Sequence, residues 1–201
     1  MAFSKTKKEN NKSAGAASVL EYLHDVVYIL ALILVVFTFC MRVVIVSGSS
    51  MFSTLVDGDY LLLINRPLCG ELERGDIVVA SMERFKDGEP IVKRVIATEG
   101  QTVDIDFRAG VVYVDGEALT EDYIHTPTHL SEGMEFPLVV EEGCLFLMGD
   151  NRMDSRDSRA PEIGQVDERE ILGRAVFLLM PGTGRGEYTV PRDTGRIGGL
   201  N

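Results

Sequence analysis

Cysteine and histidine, the side chains that most often bind metals, are scarce in this sequence, and tryptophan is absent. The 201 residues include three cysteines and three histidines. Cys40 lies inside a hydrophobic run, while Cys69 and Cys144 are far apart and match no metal-ligand spacing. The simplest interpretation of the latter two is small buried residues, although a disulfide between them stays open outside the cytoplasm. We expect neither a metal nor a cofactor.

An excess of positive charge is also missing, because the formal net charge is -11. A chain this acidic is repelled by nucleic acid, so we expect no nucleic-acid partner. Lysine is unevenly distributed: after residue 41 there are 14 arginines but only two lysines, Lys86 and Lys93. This rarity directs the search for a basic functional group to these two residues.

One long uncharged hydrophobic run is present, at residues 26–41, and a further apolar stretch follows Arg42. Its length is close to the ~20 residues of a membrane span. A buried core helix would show a polar face, and this run has none. A cleaved secretory signal would need a small-x-small site, which residues 47–49 provide only superficially. We therefore predict a single transmembrane anchor over residues 21–46.

Lysines near the N-terminus predict the orientation of this anchor. Lys5, Lys7, Lys8 and Lys12 precede the run, and positive charge is enriched on the cytoplasmic side of membrane spans. We expect residues 1–20 to form a cytoplasmic tail. Everything after the single span is then expected to lie on the outer face of the cell membrane.

Beyond the anchor, apolar residues occur in short segments with turn residues nearby. These segments are residues 60–64, 76–80, 91–97, 101–105, 111–114, 144–148 and 175–180. The pair Asp115-Gly116 is typical of a hairpin tip, and residues 168–171 suggest a single helical turn. The pattern predicts an all-β fold of mainly antiparallel sheets, forming one compact domain over residues 47–181. Residues 182–201 carry six glycines and no core pattern, which predicts a flexible C-terminal tail.

Lys93 lies within one of these predicted strands. Side chains alternate along a strand, so Lys93 shares a face with Ile91 and Val95, while Arg94 faces the other way. A lysine held among apolar side chains has a lowered pKa, and its neutral amine can act as a general base near pH 7. The plain alternative is a lysine on an edge strand whose amine reaches water.

A cluster of small residues, 47–50, follows the anchor and precedes a predicted strand. A serine hydroxyl becomes a good nucleophile only when a base takes its proton. No histidine has a suggestive position, because His24 is at the membrane edge and His125 and His129 lie in a polar loop. A lysine is therefore the remaining candidate base, although a plain linker is the alternative for this cluster.

A third cluster, residues 149–159, follows the apolar segment 144–148 and contains mostly hydrogen-bonding side chains. These two features predict a structured polar loop at the end of a strand. A solvated charged turn is the alternative interpretation.

Together, the three clusters behind an N-terminal anchor resemble bacterial type I signal peptidases, the serine/lysine family. The nucleophile box is similar to residues 50–55 (SMFSTL), although Ser53 stands where the family usually has proline. The general-base box is similar to residues 93–96 (KRVI), and the last box is matched by residues 149–152 (GDNR) and 155–159 (SRDSR). The resemblance covers roughly residues 20 to 181.

This resemblance implies roles for particular residues. Ser50 would be the nucleophile, and its backbone N–H would form the oxyanion site. Lys93 would be the general base, and Ser155 would hydrogen-bond its amine. Asp157 and Arg159 would form an ion pair that braces the loop carrying Ser155.

The resemblance also implies a membrane-bound serine endopeptidase that cleaves signal peptides from exported preproteins after small-x-small motifs. Its substrate would bind as an extended strand at the surface of the lipid bilayer, and association with the export translocon is expected. The residues expected to form the substrate pockets are Gly48, Met51, Leu55, Ile91 and Val92.

Three other classes of protein share part of this pattern. Self-cleaving repressors use a serine/lysine pair but are cytosolic and need no anchor. A membrane-anchored binding protein that has lost catalysis would explain the departure at Ser53. The histidine-using branch of signal peptidases would have a histidine in place of Lys93, so the sequence disfavours it.

Overall fold

The computed structural model describes residues 3–200, and the chain divides into two compact units between Met41 and Arg42. The first unit is a single helix, α1 (Phe3–Phe39). Its part Val19–Phe39 is 21 residues long, is apolar enough to cross a membrane and is not buried within the protein. This helix agrees with the one N-terminal apolar helix that the sequence predicts.

The helix ends earlier than the predicted anchor, which extends to residue 46. The N–H of Cys40 still donates to the Val36 carbonyl, but strand β1 (Met41–Ile45) begins at the next residue. The β-branched residues of this stretch favour an extended backbone over a helix. The helical part of this stretch therefore ends before residue 46, while the anchor over residues 21–46 and the cytoplasmic placement of residues 1–20 stay predictions.

The second unit consists of two sheets. Its strands are β2 (Tyr60–Asn65), β3 (Ile77–Ala80), β4 (Ile91–Ala97), β5 (Thr102–Asp106), β6 (Val111–Val114), β7 (Glu117–Ala118), β8 (Leu138–Val139), β9 (Cys144–Met148), β10 (Val166–Asp167), β11 (Ile171–Met180) and β12 (Gly198–Gly199). The large sheet has the order β1-β2-β11-β3-β4-β9-β10, with β12 also on β11, and the small sheet has the order β7-β6-β5-β8. The strand pairs from β2 onwards are antiparallel, so the predicted fold class is confirmed.

Local turn chemistry agrees with the sequence at two places. Asp115 and Gly116 connect β6 to β7, and both have positive φ, 54° and 81°, as a tight two-residue hairpin turn requires. The predicted helical turn is a 3-10 turn, Glu168–Glu170. The other 3-10 turns of the described chain are Arg66–Leu68, Lys86–Gly88, Gly186–Tyr188 and Thr194–Arg196.

Strand β4 lies between β3 and β9 inside the large sheet and is buried along almost its whole length. Its side chains enter different parts of the core: Val95 packs with Val78, whereas Ile96 packs with Phe146. Because both flanks and both faces of β4 are covered, Lys93 is held on a strand with little freedom to move.

The segment 182–200, for which the sequence predicts a flexible tail, makes specific contacts with the rest of its unit. Its strand β12 pairs with β11, and Leu200 N–H donates to the Val176 carbonyl at 3.0 Å. These contacts give the segment a defined place in the fold, and its mobility stays a prediction.

All three cysteines are free thiols. Cys69 is buried and its Sγ lies 3.3 Å from the Arg66 carbonyl oxygen, while Cys144 begins β9. The alternative of a Cys69–Cys144 disulfide is therefore not realised in the structure.

Candidate active site

The side chains of Ser50 and Lys93 meet beside a surface cleft. Lys93 Nζ donates a hydrogen bond of 2.7 Å to Ser50 Oγ and another of 3.0 Å to the Val92 carbonyl. Lys93 is fixed by β4, and Ser50 lies in the loop between β1 and β2, where Phe52 N–H donates to the Ser49 carbonyl at 2.9 Å. The fold thus brings together the two residues that the sequence predicts to react together.

Burial lowers the pKa of the Lys93 amine to about 8, because its side chain is only 3% exposed and the cation loses its hydration. The positive charge of Lys86 lowers this pKa further, while the carboxylates of Asp157, Asp150 and Glu132 raise it. A large fraction of the amine is therefore neutral at slightly alkaline pH and can accept a proton.

Ser155 does not make the predicted hydrogen bond to the Lys93 amine. Its hydroxyl donates instead to Asp157 Oδ2 at 2.7 Å, and the hydrogen bonds of Lys93 Nζ go to Ser50 and Val92. The Ser155 hydroxyl donates to Asp157 because a carboxylate is a charged and therefore strong acceptor, and a supporting role of Ser155 beside Lys93 stays a prediction.

Asp157 and Arg159 form the expected ion pair, with 2.8 Å between Arg159 Nε and Asp157 Oδ1 and neither side chain exposed. Burial raises the pKa of Asp157, but the bonds and charge of Arg159, the Gly149 N–H and the Ser155 hydroxyl outweigh burial and lower it overall. The carboxylate is therefore ionised, and it links both ends of the polar loop.

The polar loop also holds the backbone around Ser50, which the sequence analysis did not foresee. Asn151 N–H donates to the Ser50 carbonyl at 2.9 Å, and its side-chain amide donates to the Ser49 carbonyl at 3.2 Å. Ser49 Oγ donates to Asp154 Oδ2 at 2.5 Å. Gly149 passes so close that an added Cβ would lie 2.4 Å from the Ser50 carbonyl oxygen. Only glycine permits this approach.

A second buried ion pair, which was likewise missed, connects the general-base box to the polar loop and also binds Thr54 of the nucleophile box. Arg94 Nε and Nη2 donate to the two carboxylate oxygens of Asp150 at 2.9 and 2.7 Å. Thr54 Oγ1 donates to the same carboxylate at 2.5 Å, and the Arg94 guanidinium lies over the Tyr123 ring, 4.1 Å from its centroid. Strand alternation places Arg94 opposite Lys93, and this was the one available signal, but alternation does not identify a partner.

A cleft of about 280 Å³ opens beside Ser50 and Lys93. It is bounded on one side by residues 47–50 and on the other by residues 90–93, so Gly48, Ile91 and Val92 line it as predicted. Within the described residues, no group of three or more His, Cys, Asp or Glu side chains is placed to hold a metal ion.

Met51 and Leu55 do not line this cleft, contrary to the prediction. Their exposed fractions are 1% and 0%, and both pack in the core with Leu61 and Leu63 of β2. The chain turns at Ser50, where Phe52 N–H donates to the Ser49 carbonyl, so Met51 and Leu55 pack in the core while Ser50 lines the cleft.

The site thus has a serine hydroxyl hydrogen-bonded to a buried lysine amine, beside a cleft in an antiparallel β domain. The family model described as "Signal peptidase, peptidase S26" matches residues 19–180. The chain belongs to this family, and it is a hydrolase of the signal peptidase I type.

Two Bacillus relatives agree with this assignment. Signal peptidase I T of Bacillus subtilis is 33% identical over 185 residues, which cover 88% of this chain and 93% of that protein. A signal peptidase I of Bacillus amyloliquefaciens is 33% identical over 170 residues, covering 80% of this chain and 85% of that protein. A solved signal peptidase I from Enterococcus faecalis is 29% identical, with a TM-score of 0.42, and covers 52% of this chain and 96% of that chain.

Proposed function

We propose that this protein is a membrane-bound serine endopeptidase in which Ser50 is the nucleophile and Lys93 the general base for signal-peptide cleavage. The observation that carries the proposal is the 2.7 Å hydrogen bond between Lys93 Nζ and Ser50 Oγ, made by an amine that burial keeps partly neutral. Geometry and proton affinity are the two requirements for a general base, and this pair meets both.

In the proposed reaction, the neutral Lys93 amine takes the proton of Ser50 Oγ while the oxygen attacks the scissile carbonyl carbon. The negative charge that develops on the carbonyl oxygen is stabilised by the Ser50 N–H, which donates to no acceptor within the described residues. The Lys93 ammonium then protonates the leaving amine, which releases the mature protein. Water, deprotonated by Lys93, hydrolyses the acyl-enzyme and releases the signal peptide.

Ser155, Asp157 and Arg159 are proposed to support this chemistry without touching the substrate. Asp157 is the common acceptor of the Ser155 hydroxyl, the Gly149 N–H and the Arg159 guanidinium. It thereby fixes the polar loop in which Asn151 binds the Ser49 and Ser50 carbonyls. Its charge also raises the pKa of Lys93, in opposition to burial.

The substrate is proposed to bind as an extended strand between residues 47–49 and β4, with small side chains at the first and third positions before the cut. Ile91 and Val92 form one wall of the cleft next to Ser50. We expect that replacing the small residue directly before the cut by phenylalanine lowers kcat/KM at least about tenfold. Cleavage of two peptides that differ only there measures this, and equal rates would contradict a small-residue pocket.

The membrane position follows from the length of chain that precedes the nucleophile. Ser50 is eleven residues beyond Phe39, the last residue of α1, which limits their separation to at most about 40 Å. With α1 in the membrane and the N-terminus in the cytoplasm, the enzyme would be concentrated where signal peptides emerge from the translocon. Protease added outside intact cells should then remove the catalytic domain, and complete protection would contradict this orientation.

The rate of cleavage should depend on pH through the Lys93 amine. Only the neutral amine accepts the Ser50 proton, so kcat/KM should rise with pH and level off above an apparent pKa of about 8. Lys86→Met removes a cation that lowers this pKa and should move the rise to higher pH. Glu132→Gln removes an anion that raises it and should move the rise to lower pH.

The measurement is kcat/KM of the full-length enzyme in detergent, with one synthetic signal peptide, between pH 5 and 10. The two variants serve as controls for each other because they change the local charge in opposite directions. A profile that is flat over this range, or that shifts in the same direction in both variants, would contradict lysine as the base.

A further inference from the structure

The C-terminal segment, residues 182–200, lies beyond the family match, which ends at residue 180, yet it contacts the loop that carries Ser50. We call residues 49–59 the nucleophile segment. Gly182 N–H donates to Asp59 Oδ1 at 2.7 Å, and Gly184 N–H donates to the Asp57 carbonyl at 3.0 Å. An added Cβ on Gly182 would lie 2.3 Å from the Asp57 carbonyl oxygen, so the two backbones are in direct contact.

Arg196 makes the most extensive contact between these two segments. Its Nη2 donates to Asp59 Oδ2 at 2.7 Å and to the Thr54 carbonyl at 3.0 Å, and its Nη1 donates to Asp59 Oδ1 at 3.2 Å. Asp59 is fully buried and also accepts the Val56 N–H at 2.9 Å. One guanidinium therefore fixes the nucleophile segment at two points, four and nine residues after Ser50.

Tyr188 provides a second contact with the nucleophile segment. Its ring lies 5.0 Å from the ring of Phe52, centroid to centroid, and 6.3 Å from that of His125. Tyr188 thus packs against a side chain two residues after Ser50.

Both ends of the C-terminal segment are fixed to the same strand. It leaves the large sheet at the end of β11, and β12 returns to β11 with Gly199 opposite Phe177 and Gly198 opposite Leu178. Because the C-terminal segment is held at both ends, its contacts keep the nucleophile segment at a fixed position relative to the large sheet. A free tail could not do so, because its own motion would absorb any displacement.

We infer that residues 182–200 are a clamp that positions Ser50 relative to Lys93, and that Arg196 is its main positioning residue. The inference rests on the proposed roles of Ser50 and Lys93. A displacement of about 1 Å at a reacting atom can cost on the order of a hundredfold in rate. The clamp acts on Ser50 rather than on the cleft wall formed by β4, so it should affect kcat more than KM.

The test is Arg196→Met in the full-length enzyme, assayed with one signal peptide at pH 8. We expect kcat to fall at least about tenfold and KM to change less than about twofold. Arg196→Lys, which keeps the ion pair with Asp59 but cannot also reach Thr54 with the same geometry, should recover part of kcat. The matched control is Arg192→Met, an exposed arginine of the same segment, which should keep wild-type kcat.

A second variant separates positioning from folding, because Arg196→Met alone leaves the buried Asp59 carboxylate without its cation. The double variant Asp59→Asn with Arg196→Met carries no buried unpaired charge. If thermal unfolding shows that the double variant is folded, and its kcat is still reduced, the clamp is supported. Wild-type kcat in a folded double variant, or a loss in Arg196→Met that matches its unfolded fraction, would overturn it. An active Ser50→Ala enzyme would instead overturn the proposed function.

Discussion

Replacing Ser50 by alanine, or Lys93 by methionine, is expected to lower the rate of signal-peptide cleavage at least about a thousandfold. Each change removes one half of a pair that acts as a unit, and loss of one member of such a unit costs almost as much as loss of both. The double variant should therefore be no slower than the slower single variant. The measurement is the single-turnover rate of the full-length enzyme in detergent with a preprotein substrate.

Neither replacement should unfold the protein. Alanine at residue 50 removes one hydroxyl beside the cleft, and methionine at residue 93 keeps the length of lysine while removing an amine that is costly to bury. Ser53→Ala is the matched control, because Ser53 lies in the same loop but is exposed, and its hydroxyl is 3.4 Å from the Tyr123 carbonyl. Wild-type rates in Ser50→Ala, or an inactive Ser53→Ala, would contradict the assignment of the nucleophile.

Breaking the ion pair of Arg94 and Asp150 is expected to lower the free energy of unfolding by about 3–5 kcal/mol. The two side chains are 3% and 0% exposed, so Arg94→Met leaves a carboxylate, and Asp150→Asn leaves a guanidinium, buried without its counter-ion. Because Thr54 also bonds to Asp150, either change should loosen the loop that carries Ser50. The double variant should lose less stability than the sum of the two single variants.

Urea unfolding followed by tyrosine fluorescence measures this loss, since the chain has six tyrosines and no tryptophan. Arg169→Met is the control: its guanidinium also pairs with a carboxylate, that of Asp167, but its side chain is 89% exposed. Its removal should leave the free energy of unfolding nearly unchanged, because an exposed ion pair is screened by water and salt. Similar losses in Arg94→Met and Arg169→Met would show that burial of the first pair is without energetic consequence.

Much of the fold could be predicted from the sequence because its signals are local. Residues 91–97, 111–114 and 144–148 are short apolar segments with turn residues nearby, and this pattern predicted β4, β6 and β9 at their observed bounds. Asp115-Gly116 predicted a hairpin tip because few other residue pairs adopt two successive positive φ angles at low cost. The point at which the helix ends and β1 begins was harder to predict, because residues 43–46 are apolar enough for a membrane span and β-branched enough for a strand.

The residues of the candidate site that lie in the sequence clusters were predicted, but most of the contacts between those clusters were not. Residue type and order indicated Ser50 and Lys93, but nothing local shows that the Ser155 hydroxyl donates to Asp157. Met51 and Leu55 were expected in the substrate pocket because of the resemblance to signal peptidases. Their burial depends on the direction in which the loop turns, which the sequence clusters do not specify.

The sequence by itself determined the family, seven of the strands and the two residues with candidate chemical roles, because each depends on short patterns of residue type. Only the tertiary structure decided how those patterns are joined: Arg94 with Asp150, Asn151 with Ser50, and Arg196 with Asp59. These pairs are separated by between 56 and 137 positions in the chain. Which of several arginines pairs with which of many carboxylates is set by packing in three dimensions, because every such pair is chemically equivalent in the linear sequence.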